Sequence, residues 1–224
     1  MKTLRMYLVD LLKNVDQDIT ISDDAKLYIE KILVIMCDLI YEKAAIVNAK
    51  NLNKTINQNA IRIAVRMMYT GEMQTILIKE IHRSLNDGKN SMVFPTSFFS
   101  TPNYKLTNKG LIAITSVMEY VAYDILSVAC VNVILNNKTR ICSNDIYDAI
   151  WSDAELTSSC IKNNIFLMRR QAPSLPKRYI ENFIQQCSPS LRCNKDVIAS
   201  LTSYMEEYIR TIVYQQKIVA NYDP

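Results

Sequence analysis

Apolar residues recur along this chain at helical spacing, in segments of two lengths, short and long, and the alternation repeats. Residues 54–72, KTINQNAIRIAVRMMYTGE, open with a short extended piece at Thr55 and Ile56 and a polar turn at Asn57, Gln58 and Asn59. Asn57 is placed to cap a helix, because its side-chain oxygen can accept from an unpaired backbone N–H of the first turn. Ile61, Ala64, Val65 and Met68 then follow at the i, i+3, i+4, i+7 spacing of one buried helix face. Gly71 is expected to end that helix, and Glu72 to begin another. The same order returns at 138–155, KTRICSNDIYDAIWSDAE. Ile56, Ile61, Ala64 and Val65 match Ile141, Ile146, Ala149 and Ile150 at a constant offset of 85 residues without gaps. A match of this kind marks an internal repeat, and a repeat sets the architecture.

The rest of the chain fits around these two segments. Residues 1–15 form a short amphipathic helix with Leu4, Leu8, Leu11 and Leu12 on one side, and 16–22 a loop. Ser22, Asp23 and Asp24 cap a helix over 26–50, about 37 Å long at 1.5 Å per residue. Its apolar surface, from Ile29 to Val47, is too wide for a helix covered on one side only. A further helix spans 72–85. The turn cluster at 86–91 is the seam, and a second unit starts near Phe94 and Pro95. Its first helix is abbreviated or missing, since Pro102 interrupts it. Its long helix, 111–135, falls on 26–50 at the same offset, and 143–151 is the short helix behind. After Pro173 and Pro176, residues 183–197 align with 11–25 at an offset of 172, close to twice 85. The predicted class is therefore all-α, with units at 1–87 and 88–172 and a helical extension at 173–224 that is either a partial third copy or a plain helical pair.

Composition agrees. Hydrophobic residues make up 49%, enough for a sizeable core, and only 3 glycines and 6 prolines argue against a turn-rich β protein. No 18-residue apolar run is without charge, so no membrane span is expected. The first residues, with Arg5 and Asp10 inside the apolar pattern, read as a helix and not as a signal peptide. The six cysteines form no CxxC pair, and Cys37 and Cys130 sit inside apolar helices, as small core residues do. With one histidine, His82, and no nucleophile–base pair, phosphate loop or metal cluster, neither catalytic nor metal-binding residues nor a cofactor are expected. A net charge of +4 permits an anionic partner without demanding one.

Short–long–short helices in tandem resemble the histone fold. The first unit is similar to histone 2B through Thr55, Ile56, Ile61, Ala64, Val65, Arg66, Gly71, Glu72 and Met73. The second resembles histone 2A through Phe94–Pro95, Asn103–Tyr104, Glu119–Tyr120, Asp124–Ile125–Leu126, NKTRI at 137–141 and D-x-EL at 153–156. The two in this order resemble the histone 2B–histone 2A doublets of large DNA viruses of the marseillevirus kind. That likeness implies two histone folds clasped head to tail as an intramolecular handshake. It implies packaging of viral DNA with a histone 3–histone 4 type partner, in the virion and in a viral factory or host nucleus. The alternative is a histone-fold interaction module of a transcription or virion complex that does not wrap DNA.

In such a clasp the second loop of one unit lies beside the first loop of the other, and each loop pair meets duplex phosphates without sequence specificity. The implied DNA contacts are Ser22 with Lys138, Thr139 and Arg140 at one end, and Lys54 and Thr55 with Lys105 and Lys109 at the other. Arg140 holds the place of the family's groove-inserting arginine. A second implied surface is an acidic patch that captures arginine anchors of chromatin proteins, here Glu72, Glu80, Glu119, Asp124, Asp153 and Glu155; Ser127 and Ala154 replace two family carboxylates. Other departures weaken the DNA surface. The chain starts almost at its first helix, without the family's lysine-rich tail. Thr96, Ser97, Phe98 and Phe99 occupy ground that is basic in the family, Asn53 replaces a loop arginine, and Asp23 stands where a hydroxyl normally meets phosphate. The expected consequence is weaker wrapping than a cellular histone dimer gives, read as a shallower fall of DNA affinity with salt.

Overall fold

The computed structural model of the chain describes residues 3–50, 55–88, 91–165, 167 and 177–187, with pairs at 197–198, 201–202, 204–205 and 208–209. The chain divides into two compact units, Met1–Ile165 and Phe166–Pro224. In the first unit the order is α1 (Leu4–Val15), β1 (Thr20–Ile21), α2 (Asp23–Lys50), α3 (Gln58–Met68) and α4 (Gly71–Asp87). A 3-10 turn at Thr96–Phe99 follows, then α5 (Asn108–Leu135), β2 (Arg140–Ile141), α6 (Ser143–Ser152) and α7 (Ala154–Lys162). In the second unit α8 spans Lys177–Cys187. The expected partial third copy falls mostly outside the described residues.

The repeat is visible in the element bounds. Moving α2 along the chain by 85 residues gives the bounds of α5, and the same shift carries Ile21 to Leu106 and Ile56 to Ile141. Those four residues join the halves. Thr20 pairs with Arg140 and Ile21 with Ile141 in a parallel register, through Thr20 N–H to the Thr139 carbonyl (2.9 Å) and Ser22 N–H to the Ile141 carbonyl (2.9 Å). At the other junction Ile56 and Leu106 form a parallel bridge. Ile56 N–H donates to the Lys105 carbonyl (2.8 Å) and Thr107 N–H to the Ile56 carbonyl (2.9 Å). The first loop of each half thus pairs with the second loop of the other, which is the head-to-tail handshake expected.

Helix α5 is the centre of this unit. It packs against α1, α2, α3, α4, the 3-10 turn and α6, and α2 packs against α1, α3, α5 and α6. This explains two helices with apolar residues nearly all round. Ile29, Leu33, Met36 and Ile40 of α2 and Val117, Val121, Ile125 and Ala129 of α5 are fully buried. By length and composition α5 could cross a membrane, but here it is the core helix, wrapped by the others. Each fully buried Val, Leu, Ile or Met side chain among them contributes roughly 1.5–3 kcal/mol.

Local signals explain most helix starts. Asn57 accepts from Asn59 N–H and Ala60 N–H, both at 3.0 Å, and Thr107 from Gly110 N–H at 3.0 Å. The abbreviated helix of the second half is the 3-10 turn, fastened by the Tyr41 hydroxyl, which donates to the Phe99 carbonyl. Two expectations need correction. Gly71 does not end α3, which stops at Met68 with Tyr69 extended and buried; Gly71 instead opens α4, with φ +66°. Nor are all cysteines in the core. Cys37, Cys130 and Cys160 are buried, and burial raises the thiols of Cys37 and Cys160 to about 12, but Cys142 and Cys187 are exposed because they fall at helix ends.

Gly110 sits where the first turn of α5 meets the other half. A Cβ there would lie 2.8 Å from the Ile56 carbonyl oxygen and 3.2 Å from the Thr107 hydroxyl. Backbone cannot yield as a flexible side chain does, so Gly110→Ala should cost about 1–3 kcal/mol, as other forced overpacking does. Urea unfolding of the variant against the unaltered chain measures it.

Candidate nucleic-acid interface and acidic face

The β1–β2 junction is followed by the N-termini of α2 and α6, and the Ile56–Leu106 junction by those of α3 and α5. Two pairs of helix starts therefore flank two pairs of loops, and backbone N–H groups and positive dipole ends gather at each.

At the first junction Thr139 and Arg140 are exposed, as is Lys138, whose ammonium lies 3.4 Å from Asp145. The Asp145 carboxylate is buried and also accepts from Cys142 N–H at 2.8 Å, tying down the start of α6. The loop bends through Asn137 at φ +54°, a conformation asparagine tolerates better than most residues. Ser22 differs from its expected role. It is buried, its hydroxyl oxygen accepts from Ala25 N–H at 3.4 Å, and hydrogen bonding to this hydroxyl holds the Asp24 carboxyl below its usual range. It is a cap of α2 before anything else. Asp23 is exposed beside this junction; its ion pair with Lys26 (2.6 Å) lowers its pKa, with a smaller contribution from Arg140.

At the second junction Lys105 and Lys109 are exposed and Thr55 is half-buried. Lys54 lies outside the described residues, as does Asn53. The loop pair thus brings Thr55, Lys105 and Lys109 to one end of the unit, about Ile56 and Leu106.

The six carboxylates of the second surface are not six equivalent acids. Glu155 reaches from α7 across to the start of α4. One of its oxygens accepts from Glu72 N–H at 2.7 Å and the other from Met73 N–H. Gly71 makes this approach possible, since a Cβ at that position would collide with the Glu155 carboxylate. Asp153 caps α7, accepting from Leu156 N–H at 2.7 Å. Glu119 accepts from Phe94 N–H at 2.6 Å and so anchors the segment before the 3-10 turn; desolvation raises its pKa despite that bond and the nearby Arg83. Glu80 is ion-paired with Arg83 at 2.6 Å.

Asp124 carries the electrostatic cost of this crowding. Desolvation first, then the charges of Asp153 and Glu155, raise its pKa from 3.8 to about 6. The phenol of Tyr120 is raised as well, by desolvation and then by Asp124, Glu80 and Glu72. The face is therefore negative across both halves, with Arg83 set into it. Sequence reasoning missed Arg83, although Glu80 and Arg83 at i, i+3 on one helix are a readable pair. It also missed the Glu155–Gly71 contact, because Gly71 reads equally well as a helix stop.

No family model and no curated protein matches the chain. Among solved structures, the histone from Methanopyrus kandleri is similar over 70% of this chain and 99% of that one, at 12% identity and a TM-score of 0.45.

Two outcomes are expected. Because its folded pKa lies above the unfolded one, Asp124 binds its proton more tightly when folded. Its ionisation therefore costs stability as pH rises from about 4 through 6, and the whole cost is present at pH 7.5. Asp124→Asn should stabilise the chain at pH 7.5, by on the order of 2 kcal/mol, and change little at pH 4. Thermal unfolding at both pH values checks this. Gly71→Ala and Glu155→Ala each break the same cap, at about 1–3 kcal/mol apiece. In a double-mutant cycle the combined loss should fall well short of the sum.

Proposed function

We propose that this chain is a histone-type chromatin protein, a fused pair that binds duplex DNA without sequence specificity and packages it. The observation that carries this reading is the double loop pairing. Two junctions, each with two helix starts and exposed cations or hydroxyls, lie at opposite ends of α2 and α5. Thr139, Arg140 and Lys138 at one junction and Thr55, Lys105 and Lys109 at the other are the described residues proposed to meet phosphate. Lys54 joins the second set by sequence position, and Ser22 supports the first by capping α2.

In this reading the halves correspond to histone 2B and histone 2A, the partner is a histone 3–histone 4 type doublet or dimer, and the DNA is viral, in the virion and in a viral factory or host nucleus. Exposed Ile63 and Met67 support a protein partner: they stand at i, i+4 on α3 and so form one apolar stripe beside the second junction. The acidic face is proposed to receive arginine side chains of other chromatin proteins. Asp124 and Glu72 are its proposed acceptors, since Glu155, Asp153 and Glu119 are already engaged with backbone N–H groups and Glu80 with Arg83.

A second reading, an interaction module that assembles with other proteins and leaves DNA unwrapped, draws support from the aspartates that crowd the β1–β2 junction. Micrococcal nuclease digestion of duplex DNA, reconstituted with this chain and histone 3–histone 4 type partners, separates the two. A discrete protected fragment that requires this chain is expected; digestion no different from that with the partners alone would favour the module.

A further inference from the structure

We propose that the two loop junctions are unequal, and that the Ile56–Leu106 junction carries most of the DNA grip while the β1–β2 junction adds little. The proposal rests on the DNA-binding reading above and concerns which residues of this chain deliver it.

The backbone is alike at the two junctions, but the charge is not. At the β1–β2 junction the helix starts are already neutralised. The first turn of α2 carries Asp23 and Asp24, and that of α6 carries Asp145. Residues 16–24, which lead into it, hold four aspartates and no lysine or arginine. Two of its three cations are engaged: Lys26 with Asp23 at 2.6 Å, and Lys138 with Asp145 at 3.4 Å. Arg140 remains, close enough to Asp23 to lower that carboxyl. A phosphate arriving here meets the exposed charge of Asp23 and must compete with carboxylates for Lys26 and Lys138.

The Ile56–Leu106 junction is the reverse. Neither α3 nor α5 has an acidic residue in its first turn. In sequence, residues 43–71 and 88–118, on either side of Ile56 and of Leu106, contain no aspartate or glutamate at all and between them eight lysines and arginines. Lys105 and Lys109 are exposed, and neither is in an ion pair among the described residues. Lys105 is held by its own carbonyl, which accepts from Ile56 N–H, and Lys109 stands one residue before Gly110, whose missing Cβ lets α5 abut the Ile56 carbonyl. Both lysines therefore stem from paired or closely packed backbone, and among the described residues neither has a carboxylate to displace. Counterion release is what drives phosphate binding, and a lysine already paired with a carboxylate has little to release.

The asymmetry is separable from the DNA reading by measuring duplex affinity against salt for the full chain and three variants. The probe is a random-sequence duplex of about 30 base pairs. Lys105→Ala with Lys109→Ala should weaken binding roughly 50-fold at 0.1 M salt and flatten the log–log slope by about 2. Lys138→Ala with Arg140→Ala should flatten it by less than about 1. Asp23→Asn, which removes a repulsive charge and releases Lys26, should tighten binding. All these side chains are exposed, and unchanged circular dichroism confirms that each variant is folded. Equal losses from the two double variants, or a larger loss from the Lys138 and Arg140 pair, overturn the asymmetry and leave the DNA reading standing. No duplex binding by the unaltered chain overturns both.

Discussion

Everything in the Met1–Ile165 unit depends on two short stretches of backbone pairing, one at each end of the long helices. Neither half could fold alone in this form, because α2 and α5 are apolar on more faces than their own short helices can cover. The pairings Thr20–Arg140 with Ile21–Ile141, and Ile56 with Leu106, place the first loop of each half against the second loop of the other. That head-to-tail relation lays α5 across α2 and lets α1, α3, α4 and α6 close over them. Because both halves lie on one chain, the clasp is intramolecular, and its strength does not depend on protein concentration.

The carboxylates show a second principle, that charge in this molecule is used for building before it is available for binding. Glu155 fastens α7 to the start of α4, Asp153 starts α7, Asp145 starts α6, and Glu119 holds the segment before the 3-10 turn. Each of these bonds satisfies a backbone donor that a helix or loop start would otherwise leave open. Asp124 sits among these carboxylates, and desolvation first, then the charges of Asp153 and Glu155, raise its pKa to about 6.

The two ends of the clasp follow the same logic with opposite results. Where aspartates occupy the first turn, at α2 and α6, they also answer the cations beside them. Where asparagine and threonine cap the helix start, at α3 and α5, capping adds no charge and the lysines keep their field. An aspartate in the first turn of a helix is worth only about 0.3–1 kcal/mol to the helix itself. It is not neutral for a phosphate approaching the same helix end.

Much of this was determined by the sequence alone. The 85-residue offset, the apolar spacing of α2 and α5 and the cap at Asn57 are local or periodic signals, and the helices formed where those signals stand, because helix spacing and capping act over a few residues. The tertiary structure decided what depends on distant partners. Gly71 could equally end one helix or open the next until Glu155, from the other half, occupied the space its missing Cβ leaves. Ser22 looked like a phosphate ligand until its burial as a cap was visible. The acids at 119, 153 and 155 looked alike in the sequence, and only the backbone groups they meet set them apart from Asp124. The reason is physical. Capping and periodicity are written within one helix, whereas the charge and exposure of a side chain are fixed by whatever the fold brings against it.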